Sequence, residues 1–234
     1  MFFFKKKQTL KSIGFFQGFT DYHCHILPGV DDGVQSMEEA LKILKRYEEL
    51  GVKRVWLTPH IMEDVPNKPE RLHARFDKLT AAYEGKTQLH LAAENMLDTL
   101  FDERFDADML LPLGTAGNQL LVETSYFSGP TNLMALIRNI MGKGYFPVLA
   151  HPERYMYMSE KDYKTYKDMG VRFQLNLPSL AGVYGKHVKS KAEWMLQNHF
   201  YDCFGTDLHK EITLDILLDM KITAELETLL LEKR

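Results

Sequence analysis

Seven short apolar runs recur along the chain: "GFTDYHC", "KRVWLTP", "QLHLAAE", "NQLLVET", "YFPVLAH", "VRFQLNL" and "YDCFGTD". Their β-branched and aromatic content predicts strands. Helical patterns lie between most of them. In "SMEEALKILKRYEELG", Ser36 and Glu39 form a capping box and Gly51 closes the helix. Leu41, Ile43, Leu44, Tyr47 and Leu50 make its apolar stripe. Further helices are predicted over "PERLHARFDKLTAAYEG", "TNLMALIRNIMGKG", "SEKDYKTYKDMG", "HVKSKAEWMLQNHF" and the C-terminal "LDILLDMKITAELETLLLEKR", where Leu214, Leu217, Leu218, Ile222, Leu226 and Leu229 read as a barrel-covering stripe. Its length leaves a dimer contact open. The link over 95–117 reads as a loop with a short helix.

Strand then helix, repeated about seven times, predicts parallel strands joined by right-handed crossovers. No Pro/Gly/Ser linker, low-complexity tract or fixed-period repeat interrupts the pattern, which gives one domain over residues 19–234 preceded by an arm at 1–18. An open doubly wound sheet and a closed barrel both fit. His25, His60, Glu94, Glu123, His151 and Asp207 each stand at or just past the C-terminal end of a different predicted strand. Strand ends converge on one face in a barrel and spread out in an open sheet, so the expectation is an α/β fold with a distorted or incomplete seven-stranded TIM-like barrel.

Composition narrows the function classes. The chain has 234 residues, 45% of them hydrophobic and 26% charged, and a net charge of −3. Those values suit one large core. No long basic run lies beyond the first dozen residues, which disfavours a nucleic-acid partner. Two cysteines, Cys24 and Cys203, give no disulfide framework and suggest a reducing, cytoplasmic setting. The N-terminal "MFFFKKKQTLKSIGFFQGF" is too short in its apolar run for a secretion signal or membrane span. Phe2, Phe3 and Phe4 with Lys5, Lys6 and Lys7 could touch an anionic membrane surface, or simply form a partly packed terminus. Phe15 and Phe16 read as packing.

The candidate chemistry begins with "DYHCHILPGVDDG". On an extended strand His23 and His25 point to one side and Cys24 to the other, so both imidazoles can grip one ion. An H-x-H pair alone is equally consistent with hydrogen-bonded histidines. Pro28, Gly29 and Gly33 turn the chain back and bring Asp31 and Asp32 near them; aspartates before glycine also serve simply as turn formers. "WLTPH" ends a strand on His60, "LAAEN" on Glu94, "LLVETS" on Glu123 and "VLAHPERY" on His151. A carboxylate closing an apolar run is costly unless paired or bound to a cation. "FGTDLH" adds Asp207 and His209. Seven ligand-type residues at strand ends are hard to explain as solvated accidents.

In this order, H-x-H, a lone His, two Glu, His-Pro-Glu-Arg and D-x-H resemble the PHP (polymerase and histidinol phosphatase) domain from Phe19 to His209. The motifs look most like the manganese-dependent tyrosine-protein phosphatases of bacterial capsule and exopolysaccharide loci. The resemblance implies a distorted (β/α)₇ barrel and three divalent ions, Mn²⁺ with Fe²⁺ or Zn²⁺ as alternatives. His23, His25, Glu94 and Asp207 would hold the first; Glu94, Glu123 and His151 the second; Asp32, His60 and His209 the third. Asp31 would cap the turn or support a ligand. Asp32 and Arg154 would carry catalysis, with a metal-bound hydroxide attacking phosphorus and Arg154 binding the phosphate through its two-pronged edge. The implied partner is the phosphotyrosine tail of a membrane-associated bacterial tyrosine kinase.

Related phosphatases commonly carry a second arginine shortly after D-x-H. "DLHKEITLDILLDMK" has none, and Lys210 or Arg172 is the expected stand-in for substrate binding. "RYMYMSEKDY" reads as loop packing at the barrel mouth, with an aromatic peptide groove as the alternative. The competing functions are a small-molecule phosphatase, such as one acting on histidinol phosphate, and a non-catalytic metal-stabilised barrel that binds phosphorylated partners.

Overall fold

The computed structural model describes residues 8–233. The membrane-contact expectation for Phe2–Lys7 lies outside them. In chain order the first half consists of β1 (Gln8–Thr9), β2 (Thr20–Cys24), α1 (Met37–Glu49), β3 (Arg54–Leu57), β4 (His60–Ile61), α2 (Pro69–Ala82), β5 (Gln88–Leu91), β6 (Glu94–Met96) and α3 (Phe101–Asp106). The second half adds β7 (Gln119–Glu123), α4 (Leu133–Gly142), β8 (Phe146–Ala150), α5 (Glu160–Asp168), β9 (Arg172–Asn176), α6 (Leu177–Ala181), α7 (Lys186–Gln197), β10 (Cys203–Gly205), α8 (Glu211–Asp219), β11 (Lys221–Ile222) and α9 (Ala224–Lys233).

All seven apolar runs contain strands, and neighbouring strands pair in parallel. They form a curled sheet in two pieces, ordered β10-β9-β8-β7-β6-β4 and β2-β3-β5. The division arises within two of the runs. Pro59, which lacks an N–H, follows β3, and the chain restarts as β4 beside β6. Ala92 and Ala93 separate β5 from β6, and Ala93 N donates to Leu111 O at 3.0 Å in the 107–118 link. That link thus takes a place at the sheet, and the short helix expected within 95–117 is α3.

Alternation along the strands sets two layers of packing. Leu120 and Val122 of β7, Leu149 of β8, and Phe173 and Leu175 of β9 join the large core under the helices. Leu121, Val148 and Ala150 meet Trp56, Ala92 and Leu113 in a smaller cluster on the concave side. Sealing that end with apolar side chains leaves the C-terminal ends of the strands as the open, polar face.

Half of the predicted capping box of α1 is present: Ser36 Oγ accepts from Glu39 N at 3.1 Å, with no return bond from the Glu39 side chain among the described residues. The predicted single C-terminal helix is not. Its chain breaks after α8 because Lys221–Ile222 pairs antiparallel with Gln8–Thr9, and Leu10 N donates to Met220 O at 3.2 Å. Thr223 then starts α9, its Oγ1 accepting from Leu226 N. Leu10, Phe15 and Phe16 are buried in the same core as the sheet. Among the described residues no helix is long and apolar enough to cross a membrane.

Candidate metal centre

Three local departures from ideal strand geometry aim the strand-end side chains into one mouth. In β2 the register slips between Asp21 and Cys24, and a bulge of this kind re-aims side chains. Cys24 consequently faces the helical core, its Sγ 3.4 Å from Trp56 O, while His23 and His25 face the open end. After β8, alternation would send His151 outward, but its left-handed conformation (φ 34°, ψ 51°) returns the imidazole to the mouth. Asp207, after β10, also has positive φ (48°). For residues with a Cβ this costs about 1–2 kcal/mol each, and such strain concentrates at functional sites.

The nine expected ligands meet there. His23 Nε2 lies 3.1 Å from Glu94 Oε2 and 3.6 Å from Asp207 Oδ1; His25 Nε2 lies 3.3 and 3.5 Å from the same atoms. His151 Nε2 is 2.9 Å from Glu94 Oε1 and 3.8 Å from Glu123 Oε2. His60 joins two neighbourhoods. Its Nδ1 is 3.1 Å from both Glu94 Oε2 and Glu123 Oε1, and its Nε2 is 3.5 Å from Asp32 Oδ1. His209 Nε2 is 3.4 Å from that same Asp32 oxygen. Four subsets have ligand atoms mutually within 4.8 Å: His25/Asp32/His60/His209, His23/His25/Asp207, His23/Glu94/His151 and His60/Glu94/Glu123. The grouping differs from the expected partition: His25 also joins the Asp32 group, His23 joins Glu94 and His151, and Glu123 groups with His60 in place of His151.

Buried partners behind these groups orient them. Gln174 Oε1 accepts from His151 N at 3.2 Å and stands 2.9 Å from His23 Nδ1. An acceptor there fixes the proton on Nδ1 and leaves the Nε2 lone pair for the cluster. Asp31 does the same for His25 Nδ1 at 2.8 Å, while also accepting from His60 N and Gly33 N, each at 3.0 Å. Asp207 O lies 2.9 Å from His209 Nδ1. Asp207 Oδ2 accepts from Arg154 Nη1 at 3.0 Å and Asn176 Nδ2 at 2.7 Å, which leaves Oδ1 for the histidines. Further back, Asp21 accepts from Tyr47 Oη at 2.9 Å and Thr206 N at 2.9 Å, tying β2 to the segment that carries Asp207. Glu153, fully buried, accepts from Asn176 N and Tyr201 Oη, each at 3.0 Å.

This donor set fits divalent cations. His60 Nδ1, Glu94 Oε2 and Glu123 Oε1 are buried and find only one another and neighbouring imidazoles within reach, a crowding of lone pairs that is costly without a cation. Two imidazole nitrogens aimed at one point, His23 Nε2 and His25 Nε2 3.1 Å apart, need a positive charge between or beside them. Mixed imidazole and carboxylate ligands suit Mn²⁺, Fe²⁺ or Zn²⁺, and the buried Cys24 is turned away. The electrostatics carry the same message. Burial alone would lower the His23 pKa, but Glu94 and Asp207 raise it to about 9. His60 likewise rises to about 12, burial being outweighed by Glu123 and Glu94. The His209 contact holds Asp32 down at about 2. The site is short of positive charge.

Above the cluster opens a cavity of about 380 Å³ lined by Arg154, Tyr126, Tyr184 and Thr213 together with candidate ligands. Arg154 sits over it. Lys210 is exposed at the start of α8 and is not among the lining residues. Arg172 opens β9 at the opposite end of the sheet, where its guanidinium lies 5.7 Å from the Phe146 ring. Arg172 thus stands away from the mouth, while Lys210 follows the lining residue His209. Sequence reading missed Gln174, whose signal was a polar residue inside an apolar strand. It also missed Tyr126 and Tyr184, loop residues with no such signal.

A family profile described as "Capsular polysaccharide synthesis, CpsB/CapC" matches residues 19–215. The chain is 27% identical over 195 residues to the tyrosine-protein phosphatase YwqE of Bacillus subtilis, covering 81% of this chain and 76% of the relative. It is 27% identical over 213 residues to the tyrosine-protein phosphatase CpsB of Streptococcus pneumoniae, covering 81% and 82%. A solved structure described among "Crystal structures of YwqE from Bacillus subtilis and CpsB from Streptococcus pneumoniae, unique metal-dependent tyrosine phosphatases" superposes with a TM-score of 0.78 at 23% identity, over 92% of this chain and 87% of the other. At that identity the superposition speaks for the fold.

Proposed function

The chain belongs to the CpsB/CapC capsular polysaccharide synthesis family, and from that premise we propose that it is a metal-dependent protein-tyrosine phosphatase. Its substrate is the phosphotyrosine tail of a membrane-associated bacterial tyrosine kinase that governs capsular or exopolysaccharide synthesis. The frame is read as a distorted (β/α)₇ barrel at 19–234, cytoplasmic, with residues 1–18 as its arm. His23, His25, Asp32, His60, Glu94, Glu123, His151, Asp207 and His209 hold three divalent cations, with Mn²⁺ as the first choice. The observation that carries the reading is the convergence of imidazole and carboxylate ligand atoms beneath a cavity where, among the described residues, Arg154 is the one lining arginine or lysine.

The chemistry divalent cations supply when bound is a lowered pKa for water and neutralisation of phosphoryl charge. The protein's own groups do the rest. Gln174, Asp31 and the Asp207 carbonyl keep three imidazoles in the tautomer that presents Nε2. Asn176 and Arg154 hold one oxygen of Asp207 and so direct the other inward. The remaining edge of the Arg154 guanidinium binds two phosphoryl oxygens, and Asp32, exposed at the rim, orients the attacking side of the site. A tyrosine phenolate, with a pKa of about 10, leaves with little proton assistance.

The test is metal analysis of the purified protein followed by Mn²⁺-supported hydrolysis of a phosphotyrosine peptide, histidinol phosphate and single-stranded DNA. The peptide is the expected substrate, and His151→Ala loses both metal and activity. Bound Mn²⁺ with no peptide hydrolysis refutes the phosphatase reading.

A further inference from the structure

Arg154 is the one lysine or arginine among the described residues lining the cavity, and two tyrosine rings pack on its guanidinium. Its Cζ lies 4.0 Å from the Tyr126 ring centroid and 4.1 Å from the Tyr184 ring centroid. Both distances are within the range of cation–π attraction. Nη1 donates to Asp207 Oδ2, while Nε and Nη2 have no acceptor among the described residues. The fork is left with a single free edge.

The two rings come from unconnected parts of the chain, and each is anchored. Tyr126 follows β7; its carbonyl accepts from Met156 N at 2.7 Å, and its ring stacks on Tyr155 at 6.3 Å and meets His151 edge-on at 5.7 Å. Tyr184 stands in the turn between α6 and α7, flanked by Gly182 and Gly185, both at positive φ. Its hydroxyl makes long contacts of 3.4 Å with Asp207 Oδ2 and Asn176 Nδ2. Rings on independent, tethered segments remove the rotamer freedom that a long arginine otherwise surrenders on binding.

We infer that Tyr126 and Tyr184 are positioning residues: they clamp Arg154 between their faces so that one preorganised guanidinium edge does the phosphate binding. The inference rests on the phosphatase reading for its substrate and on ring geometry for its mechanism. It assigns the effect to the aromatic faces and not to the hydroxyls; that of Tyr184 makes only 3.4 Å contacts.

The experiment compares wild type, Y126F, Y126A, Y184F, Y184A, R154K and the double variant R154K/Y184A, all loaded with Mn²⁺. Inorganic phosphate binding is measured by titration calorimetry, p-nitrophenyl phosphate turnover by steady-state kinetics, and metal content and melting temperature in parallel. Each alanine variant should weaken phosphate binding and raise KM about tenfold, with kcat changed much less and metal content intact. Each phenylalanine variant should stay within about twofold of wild type. In the R154K background Tyr184→Ala should add nothing, because the guanidinium it positions is gone. Phenylalanine variants as weak as the alanine ones, or full additivity in the double variant, overturn the clamp. Phosphate binding that follows this pattern in a protein unable to hydrolyse phosphotyrosine peptides sinks the phosphatase reading and leaves the clamp standing.

Discussion

Asp31 and Asp32 are adjacent in sequence and opposite in surroundings, and exchanging each for asparagine separates support from ligation. The Asp31 side chain is fully buried and the Asp32 side chain is 72% exposed. Asp31 accepts three hydrogen bonds: Oδ2 from His25 Nδ1 and His60 N, Oδ1 from Gly33 N. Burial raises its pKa, and His25 more than reverses this, keeping it ionised. In Asp31→Asn the remaining oxygen can serve the two donors on one side, but the amide then points its own N–H groups at Gly33 N. Gly33 is packed closely there, a Cβ at its position meeting His25 O at 2.3 Å. One unsatisfied buried donor costs about 1–3 kcal/mol, and two bonds weakened from ionic to neutral cost about 1 kcal/mol more together. Chemical denaturation of the metal-free protein should therefore show a loss of about 3 kcal/mol. Because the lost groups orient ligand imidazoles, Mn²⁺ affinity should fall by about 10- to 100-fold, read by competition with a fluorescent chelator. Activity should return at saturating Mn²⁺. Asp32→Asn should lower metal occupancy and activity with no comparable loss of stability. Unchanged Mn²⁺ affinity in Asp31→Asn, or activity that excess metal fails to restore, would refute the assignment of Asp31 as a support.

Three further outcomes follow from the same structure. The His23 pKa is raised from 6.5 to about 9 in the metal-free protein, so its stabilising contribution is fully present below pH 6.5 and is lost as pH rises through 9. Chelated protein should lose about 3 kcal/mol over that window from this group, and a flat profile in denaturant melts contradicts the proximity of Glu94 and Asp207. Metal binding near pH 7 must displace such protons, so calorimetry in buffers of different ionisation enthalpy should register proton release and tighter binding toward pH 9; absence of release rules out His23 as a ligand. Tyr47→Phe removes a buried hydroxyl that meets Asp21 and Thr206 at 2.9 Å and should cost about 1–2 kcal/mol of stability with kcat at saturating Mn²⁺ retained, whereas a large fall in kcat would show that the Asp21 tie sets the Asp207 position.

Much of the frame was legible because burial writes itself into sequence with fixed periods. The runs around Val55, Leu120, Val148 and Phe173 alternate between the helical core and the concave cluster, and the stripe on α1 shows its 3.6-residue spacing. Where that local signal competed with a remote partner it misled. Residues 214–234 have a continuous helical pattern, yet Lys221 and Ile222 are taken into a strand by Gln8 and Thr9, more than 200 positions away. The break within the Thr58–Pro59 segment was signalled by proline; the insertion of the 107–118 link at the sheet was not.

What the sequence determined by itself was the set of chemical groups and their order at strand ends, since a carboxylate or imidazole closing an apolar run must find a partner or a cation. What only the tertiary structure decided was how those groups are aimed and which residues aim them. A bulge at Tyr22–His23, left-handed backbone at His151 and Asp207, and the stacking of Tyr126 and Tyr184 on Arg154 all arise from contacts between segments far apart in the chain. Such contacts depend on distance in space, and no periodicity along the chain encodes that distance.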